Sequence, residues 1–242
     1  MVGAGIYLAL ALGTLDINWS RVVDGLPRGQ RFLSSFFPPD FVTRWDAIFD
    51  GLVESLWMTV TSTVVGVALS IPVGLGAARN LAPLPVYLFC RAIVALSRTF
   101  PEIILAIFFV KVFGFGPFAG FLALSVATVG FYAKLLAEDI EAIDPAQGEA
   151  VRATGAGWLQ RVNYAIQPQV APRMIGLALY RLDINFRESA VVGIVGGGGI
   201  GATLLTAFDR YEFESAAAIL LVIIAIVMAM EYSSSWIRSK VQ

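Results

Sequence analysis

Apolar residues in this chain fall into long runs, at roughly 2–15, 52–78, 84–112, 117–137, 168–195 and 216–237. Five of the six reach the length of about 20 residues that a helix needs to cross hydrocarbon. No water inside a bilayer can satisfy exposed backbone groups, so a run of this kind crosses it as a helix. The composition agrees: 57% of the residues are hydrophobic and 14% are charged, against about 25% charged in soluble domains. The expected fold is an all-α membrane protein with about six transmembrane helices. The first run is short for a span. It has no basic leader and no small-residue cleavage pattern, so it reads as a first helix rather than a signal peptide.

What the chain lacks narrows the chemistry. It has no histidine and a single cysteine, Cys90. Internal disulfides, His/Cys metal sites and His-based catalytic triads are excluded. With 17 Lys+Arg against 18 Asp+Glu there is no basic excess for nucleic acid. If the N-terminus lies inside, the inner connections hold Arg79, Arg91, Lys134, Arg152, Arg161, Arg173, Arg238 and Lys240. The outer ones then hold Arg21, Arg28, Arg31, Arg44, Lys111 and Arg210. This margin favours both termini on the cytoplasmic side.

Residues 1–50 read as a first helix followed by an outer connection, and 51–242 as the membrane core. In the connection, Asp40 is placed to cap a helix, and Phe41, Trp45, Ile48, Phe49 and Leu52 repeat at helical spacing. They predict an amphipathic helix on the membrane surface. Pro72 and Pro101 fall within apolar runs and predict kinks. Gly114–Pro117 predicts a tight turn between two spans.

Residues 138–168 break the apolar pattern with Glu138, Asp139, Glu141, Asp144 and Glu149. The segment is too polar to span. Asp144-Pro145 reads as a cap and first helical residue, Gly155 as the stop of a short helix, and Trp158 as the start of another. A helix–glycine–helix element is expected between two spans.

Six ionisable residues interrupt the spans: Arg98, Glu102, Arg181, Asp183, Arg187 and Glu188. Each is costly in lipid and must face protein or water. Arg98 with Glu102, and Asp183 with Arg187, are four apart, a spacing that puts each pair on one helix face. A polar pathway or gate for an anion is one reading, since Arg offers paired donors to oxyanions. Structural ion pairs between helices are the other. Gly196, Gly197, Gly198, Gly199 and Gly201 contain a G-x-G-x-x-G pattern. It follows a membrane-length run rather than a soluble strand, so it reads as a bend with close backbone packing, not a nucleotide loop.

The polar segment resembles the EAA signature of the ABC importer permeases. Glu149, Ala150, Gly155 and Pro168 match at the family spacing, while Val151, Ala165 and Gln167 depart from it. Further stretches resemble the phosphonate-type permeases: Phe36–Asp40, Arg98-Thr99-Phe100-Pro101-Glu102, Gly114–Gly120, Tyr180-Arg181 with Asn185-Phe186-Arg187, and Gly196–Gly201. The resemblance implies a type I (methionine-permease-like) importer fold and a cytoplasmic coupling helix that docks on a separate ATPase, with Asp144, Glu149, Ala150, Gly155 and Pro168 at the contact. It implies a homodimer in the bilayer, two ATPase subunits carrying ATP and magnesium, and an extracytoplasmic binding protein. This chain itself would hold no cofactor or metal and bind no nucleic acid. The implied solute is a phosphonate, phosphite or phosphate ester. A permease for another small solute such as methionine is the nearest alternative. A membrane-embedded enzyme using Glu102, Asp183 or Glu188 is the alternative of a different class, and no nucleophile motif accompanies those carboxylates.

Overall fold

A computed structural model of the chain describes residues 2–14 and 18–241. Among the described residues the structure is helical, without strands. The helices are α1 (Val2–Thr14), α2 (Trp19–Ser34), α3 (Trp45–Ala77), α4 (Leu84–Thr99), α5 (Glu102–Phe113), α6 (Pro117–Ala142), α7 (Pro145–Ala153), α8 (Trp158–Arg161), α9 (Gln167–Val192), α10 (Gly199–Asp209) and α11 (Phe213–Val241).

Three helices are long and apolar enough to cross a membrane: Trp45–Ala77, Pro117–Ala142 and Phe213–Trp236. Two bent pairs, α4 with α5 at 91° and the helix ending at Gly197 with α10 at 57°, bring the number to as many as five if each pair is one span. Against the expectation of about six, the described residues hold three to five candidate spans. α1 has 13 residues, a length of about 20 Å, short of the roughly 30 Å hydrocarbon core.

The 33-residue α3 runs the height of the molecule and makes its most extensive packing with α6. Small residues permit the approach: a Cβ on Gly66 would meet Thr128, and one on Gly74 would meet Leu136. Helices pack closely in a membrane where such residues line the contact, because apolar transfer supplies little drive between them. Around this pair, Ala77, Val94, Tyr132, Leu136, Ile140, Ile166 and Val170 form the largest buried apolar cluster. A second, built from Ile48, Ile200, Leu204, Ala216 and Ile219, ties α10 and α11 to the start of α3.

Proline and glycine set the breaks. Pro101 follows an extended Phe100 (φ −104°, ψ 128°) and separates α4 from α5; the residue before a proline is driven out of the helical region. Pro72, in contrast, sits inside an uninterrupted α3. The turn at 114–117 forms as expected, with Gly114 and Gly116 at positive φ.

The surface helix was expected over 41–52. Those residues are instead a turn followed by the opening of α3. Asp40 accepts hydrogen bonds from the Val42 and Thr43 amides, and Arg44, not Asp40, precedes the helix. The amphipathic helix of the connection is α2, which lies earlier in the chain.

Candidate functional site

Two regions of the fold concentrate polar chemistry. The first is the segment between α6 and α9. The Asp144 carboxylate accepts the Ala146 amide at 2.9 Å and starts α7 at Pro145. Thr154 closes the helix and Gly155 follows with φ +81°. Its amide returns to the Arg152 carbonyl at 3.0 Å. Only glycine takes that backbone geometry without cost. Gly157 then leads into α8, with its amide donating to the Gln160 side chain at 2.8 Å. The helix–glycine–helix element expected from sequence is thus present. Glu149 and Ala150 are exposed on α7. Gly148 is buried, because the Arg161 guanidinium lies across it. Ala150, Val151, Thr154, Gly155, Gln160 and Tyr164 line an open shallow groove on this surface.

Pro168 lies where α8 continues into α9. Between them the chain widens into a π-turn, Val162–Ile166, where the Gln167 amide bonds to the Val162 carbonyl. A proline lacks the N–H of the next rung and clashes with the carbonyl four residues back. The wider turn accommodates it without breaking the rod. α8, the π-turn and α9 form one continuous helix, which begins ten residues before the apolar run at 168–195.

The second region is a polar cluster between α3, α5, α6 and α9. Arg181 is 3% exposed. Its Nε donates to Thr128 Oγ1 at 3.0 Å, and its Nη2 lies 3.5 Å from Glu102 Oε1. The guanidinium carbon sits 5.3 Å from the Phe131 ring centre. One turn on, the Asn185 amide donates to Thr63 Oγ1 at 2.8 Å and Thr128 Oγ1 at 3.1 Å. Glu188, half-buried another turn along, is within electrostatic range of Arg181 and Glu102. Arg181, Asn185 and Glu188 share one face of α9. The buried Thr59 hydroxyl oxygen, on the same helix as Thr63, has no hydrogen-bond partner among the described residues.

This geometry corrects one pairing. Arg98 and Glu102 do not share a helix face, because the chain breaks at Phe100-Pro101 between them. Glu102 opens α5 and meets Arg181, while Arg98 is exposed at the end of α4 with its stem against Gly130. Asp183 and Arg187 do pair, as spacing predicted, but on another face of α9. Asp183 borders a slot towards α11 lined by Leu179, Leu182, Met230 and Ser234. The six intramembrane charges therefore divide: Glu102, Arg181 and Glu188 gather, Asp183 with Arg187 stand apart, and Arg98 joins neither. Thr63, Thr128 and Asn185 were not singled out from sequence as site residues. Asn185 stood four residues from Arg181, a usable signal, whereas nothing local marked Thr63 or Thr128.

The glycine run serves backbone contact. Gly196, Gly198 and Gly199 have positive φ. A Cβ on Gly197 would meet Val192, one on Gly199 would meet Ser55, and one on Gly201 would meet the Ala190 carbonyl. Gly198 packs against Glu54 and Pro117. The Gly116 amide donates to the Gly196 carbonyl at 2.9 Å, and Ser55 Oγ accepts the Ile200 amide at 2.9 Å. Ser55 thereby caps α10 from a different helix, a task that Gly198 has no side chain to perform. Among the described residues no cluster of His, Cys, Asp or Glu could hold a metal ion.

The fold is that of a helical membrane subunit with a polar helix–glycine–helix projection and a cluster of charges among its candidate spans. Residues 70–241 match the family model described as the binding-protein-dependent transport system inner membrane component, and the chain belongs to that family. It is 43% identical over 204 residues to the phosphate-import permease protein PhnE of Mycolicibacterium smegmatis, covering 84% of this chain but 38% of that protein. It is 39% identical over 228 residues to the phosphite transport system permease protein PtxC of Stutzerimonas stutzeri, covering 94% of this chain and 82% of the relative. Among solved structures it resembles the inward-facing MetNI methionine ABC transporter, with a TM-score of 0.70 and 27% identity over 81% of this chain and 96% of that one. The type I importer permease fold is thus the observed one.

Proposed function

We propose that this chain is the membrane-spanning subunit of an ATP-driven importer that moves a small phosphorus oxyanion, a phosphonate or phosphite, into the cell. The observation that carries the reading is the identity to the phosphate- and phosphite-transport relatives. Arg181, a buried cation held by Thr128 and Glu102 inside the membrane region, is the residue the reading assigns to the anion once a movement of the spans uncovers it. A centred Arg lowers the barrier for an anion, and a partner carboxylate keeps its hold weak enough for release. Relatives named for phosphate and phosphite transport are 39–43% identical, against 25% for a D-methionine permease of Vibrio cholerae, which favours the phosphorus solute.

In this reading α7 is the coupling helix, with Glu149, Ala150 and Gly155 against a separate ATPase subunit, and the side bearing α7 is cytoplasmic. Asp144 sets the start of that helix, and Pro168 marks its link to α9. The working unit is two copies of this chain, two ATPase subunits that hold ATP and magnesium, and an extracytoplasmic binding protein, in the inner membrane. ATP binding draws the coupling helices together and opens the pathway outward; hydrolysis resets it. The permease forms no covalent bond with its solute. The glycine-rich bend supports this movement by holding α10 against α3.

The test is uptake into proteoliposomes holding the complete complex and its binding protein. ATP-dependent accumulation of phosphite or methylphosphonate, with no accumulation of methionine, is expected. Methionine uptake without a phosphorus solute would overturn the reading.

A further inference from the structure

We infer that α2 is an interfacial anchor that lies on the surface of the bilayer and binds anionic phospholipid headgroups, on the side of the membrane opposite the α7 projection. Its sequence has two faces. Plotted at 100° per residue, Trp19, Val22, Val23, Leu26 and Leu33 fall within one stripe, while Arg21, Asp24, Arg28 and Arg31 fall within the opposite one. The apolar stripe is uncovered: Trp19 is 69% exposed, Val22 48%, Val23 62%, Leu26 68% and Leu33 66%. Among the described residues, none in α2 is buried.

The height of α2 is what identifies its occupant. Its last turn is fastened by an aromatic cluster in which Phe32 meets Phe36 and Phe213, with ring centres 5.1 and 5.2 Å apart. Phe213 is the first residue of the spanning helix α11. Beyond α2, the Asp40 amide donates to the Glu214 carbonyl at 3.0 Å, and Arg44 clasps Glu212 just before α3 becomes a span at Trp45. The end of α2 is therefore pinned at the level where two spans enter the membrane. The far end of α3 meets the α7 side, where the Arg79 amide bonds to Glu141 at 2.7 Å, so the two levels are on opposite faces.

A helix with an open apolar stripe cannot rest in water, and three arginines exclude it from hydrocarbon. At the boundary both faces are satisfied: the stripe enters the acyl region and the arginines meet phosphates. Three Arg against one Asp leave α2 with two net positive charges, which fits an anionic surface and draws the helix to it. Asn18 and Trp19 complete the device. The Asn18 side chain accepts the Arg21 amide and starts the helix, and an interfacial tryptophan favours the headgroup level.

The experiment uses the full complex in proteoliposomes, assembled from this chain with Cys90→Ala. The chain is labelled before assembly, so that only its introduced thiol carries the dye. An environment-sensitive fluorophore is attached at Val23→Cys or at Arg28→Cys. Lipids carrying a nitroxide on the acyl chain should quench the label at 23 at least threefold more than the label at 28. Replacing phosphatidylglycerol with phosphatidylcholine should reduce quenching at 23, and Arg21→Gln/Arg28→Gln/Arg31→Gln in the Val23→Cys protein should abolish that lipid dependence. Equal quenching at both positions, or a label at 23 shielded only after the binding protein is added, would overturn the inference. Equal response to both lipids would remove the anionic headgroup from it. Solute uptake is not the readout, so the result is independent of what the permease carries.

Discussion

Glu102 and Arg181 are 79 residues apart in sequence and meet at 3.5 Å, one opening α5 after a sharp bend and the other buried in the middle of α9. The contact joins the sharply bent α4–α5 pair to α9. It is also the place where a charge that costs several kcal/mol in lipid is made tolerable.

Removing the cation leaves Glu102 without its counter-charge and takes one of two donors from Thr128, which keeps the Asn185 amide. Arg181→Ala should reduce ATP-dependent uptake more than tenfold and lower the unfolding midpoint of the subunit, by less than the loss of a fully buried pair would, because Glu102 is partly exposed. Arg181→Lys should restore less than half of the uptake, because one ammonium cannot span Thr128 and Glu102 as a planar fork does. Uptake assays with thermal unfolding in detergent would measure both. Normal uptake in Arg181→Ala would leave the arginine a structural role only.

The coupling reading makes a separable claim. Glu149→Arg and Gly155→Trp lie on an exposed surface and should leave membrane insertion and dimer size unchanged. ATPase co-purification should fall at least fivefold. Retention of the ATPase in both variants would move the docking contact away from α7.

Glycines in the two regions should respond differently. Gly155 has open space around it and a positive φ, so alanine there meets only backbone strain, about 1–2 kcal/mol. Gly201→Ala drives a methyl into the Ala190 carbonyl, and α9 and α10 must separate. Its unfolding midpoint should drop further than that of Gly155→Ala, with overpacking costing about 1–3 kcal/mol or more. A reversed order would mean that the α9–α10 contact relaxes readily.

Acid should loosen the clasp beside α2. Hydrogen bonding from Arg44 holds the Glu212 carboxyl below its usual range, and bonds from Thr43 and Val42 do the same for Asp40. Groups with lowered values add stability above the ordinary carboxylate pKa of about 4. They lose that contribution as the pH falls through the folded value. Unfolding midpoints of the native chain and Glu212→Gln should differ at pH 7 and converge towards pH 3. A constant gap would assign the difference to something other than the ionised pair.

What could be read in advance depended on distance along the chain. Asp144, Pro145 and Gly155 act on neighbours within a few residues, and their caps and turns appear where the spacing put them. The Asp183–Arg187 pair is equally local. Arg98 and Glu102 misled because four-residue spacing implies a shared face only inside one helix, and Pro101 starts a new one. The Thr63–Asn185 and Thr128–Arg181 bonds join separate helices, and threonines in an apolar run carry no outward sign of it. The surface helix was sought at 41–52, where apolar spacing is clear, but those residues are consumed by α3. α2 shows its two faces only when charge and apolar residues are plotted together around one axis.

The absence of a hinge between α8 and α9 makes Trp158 and Arg181 two points on one lever. The rise from one to the other is about 35 Å. A tilt of about 5° applied at α8 shifts the guanidinium by roughly 3 Å by that length alone, enough to break its contacts with Thr128 and Glu102. A load applied at α8, outside the membrane region, is therefore felt at the buried cation through the length of the helix.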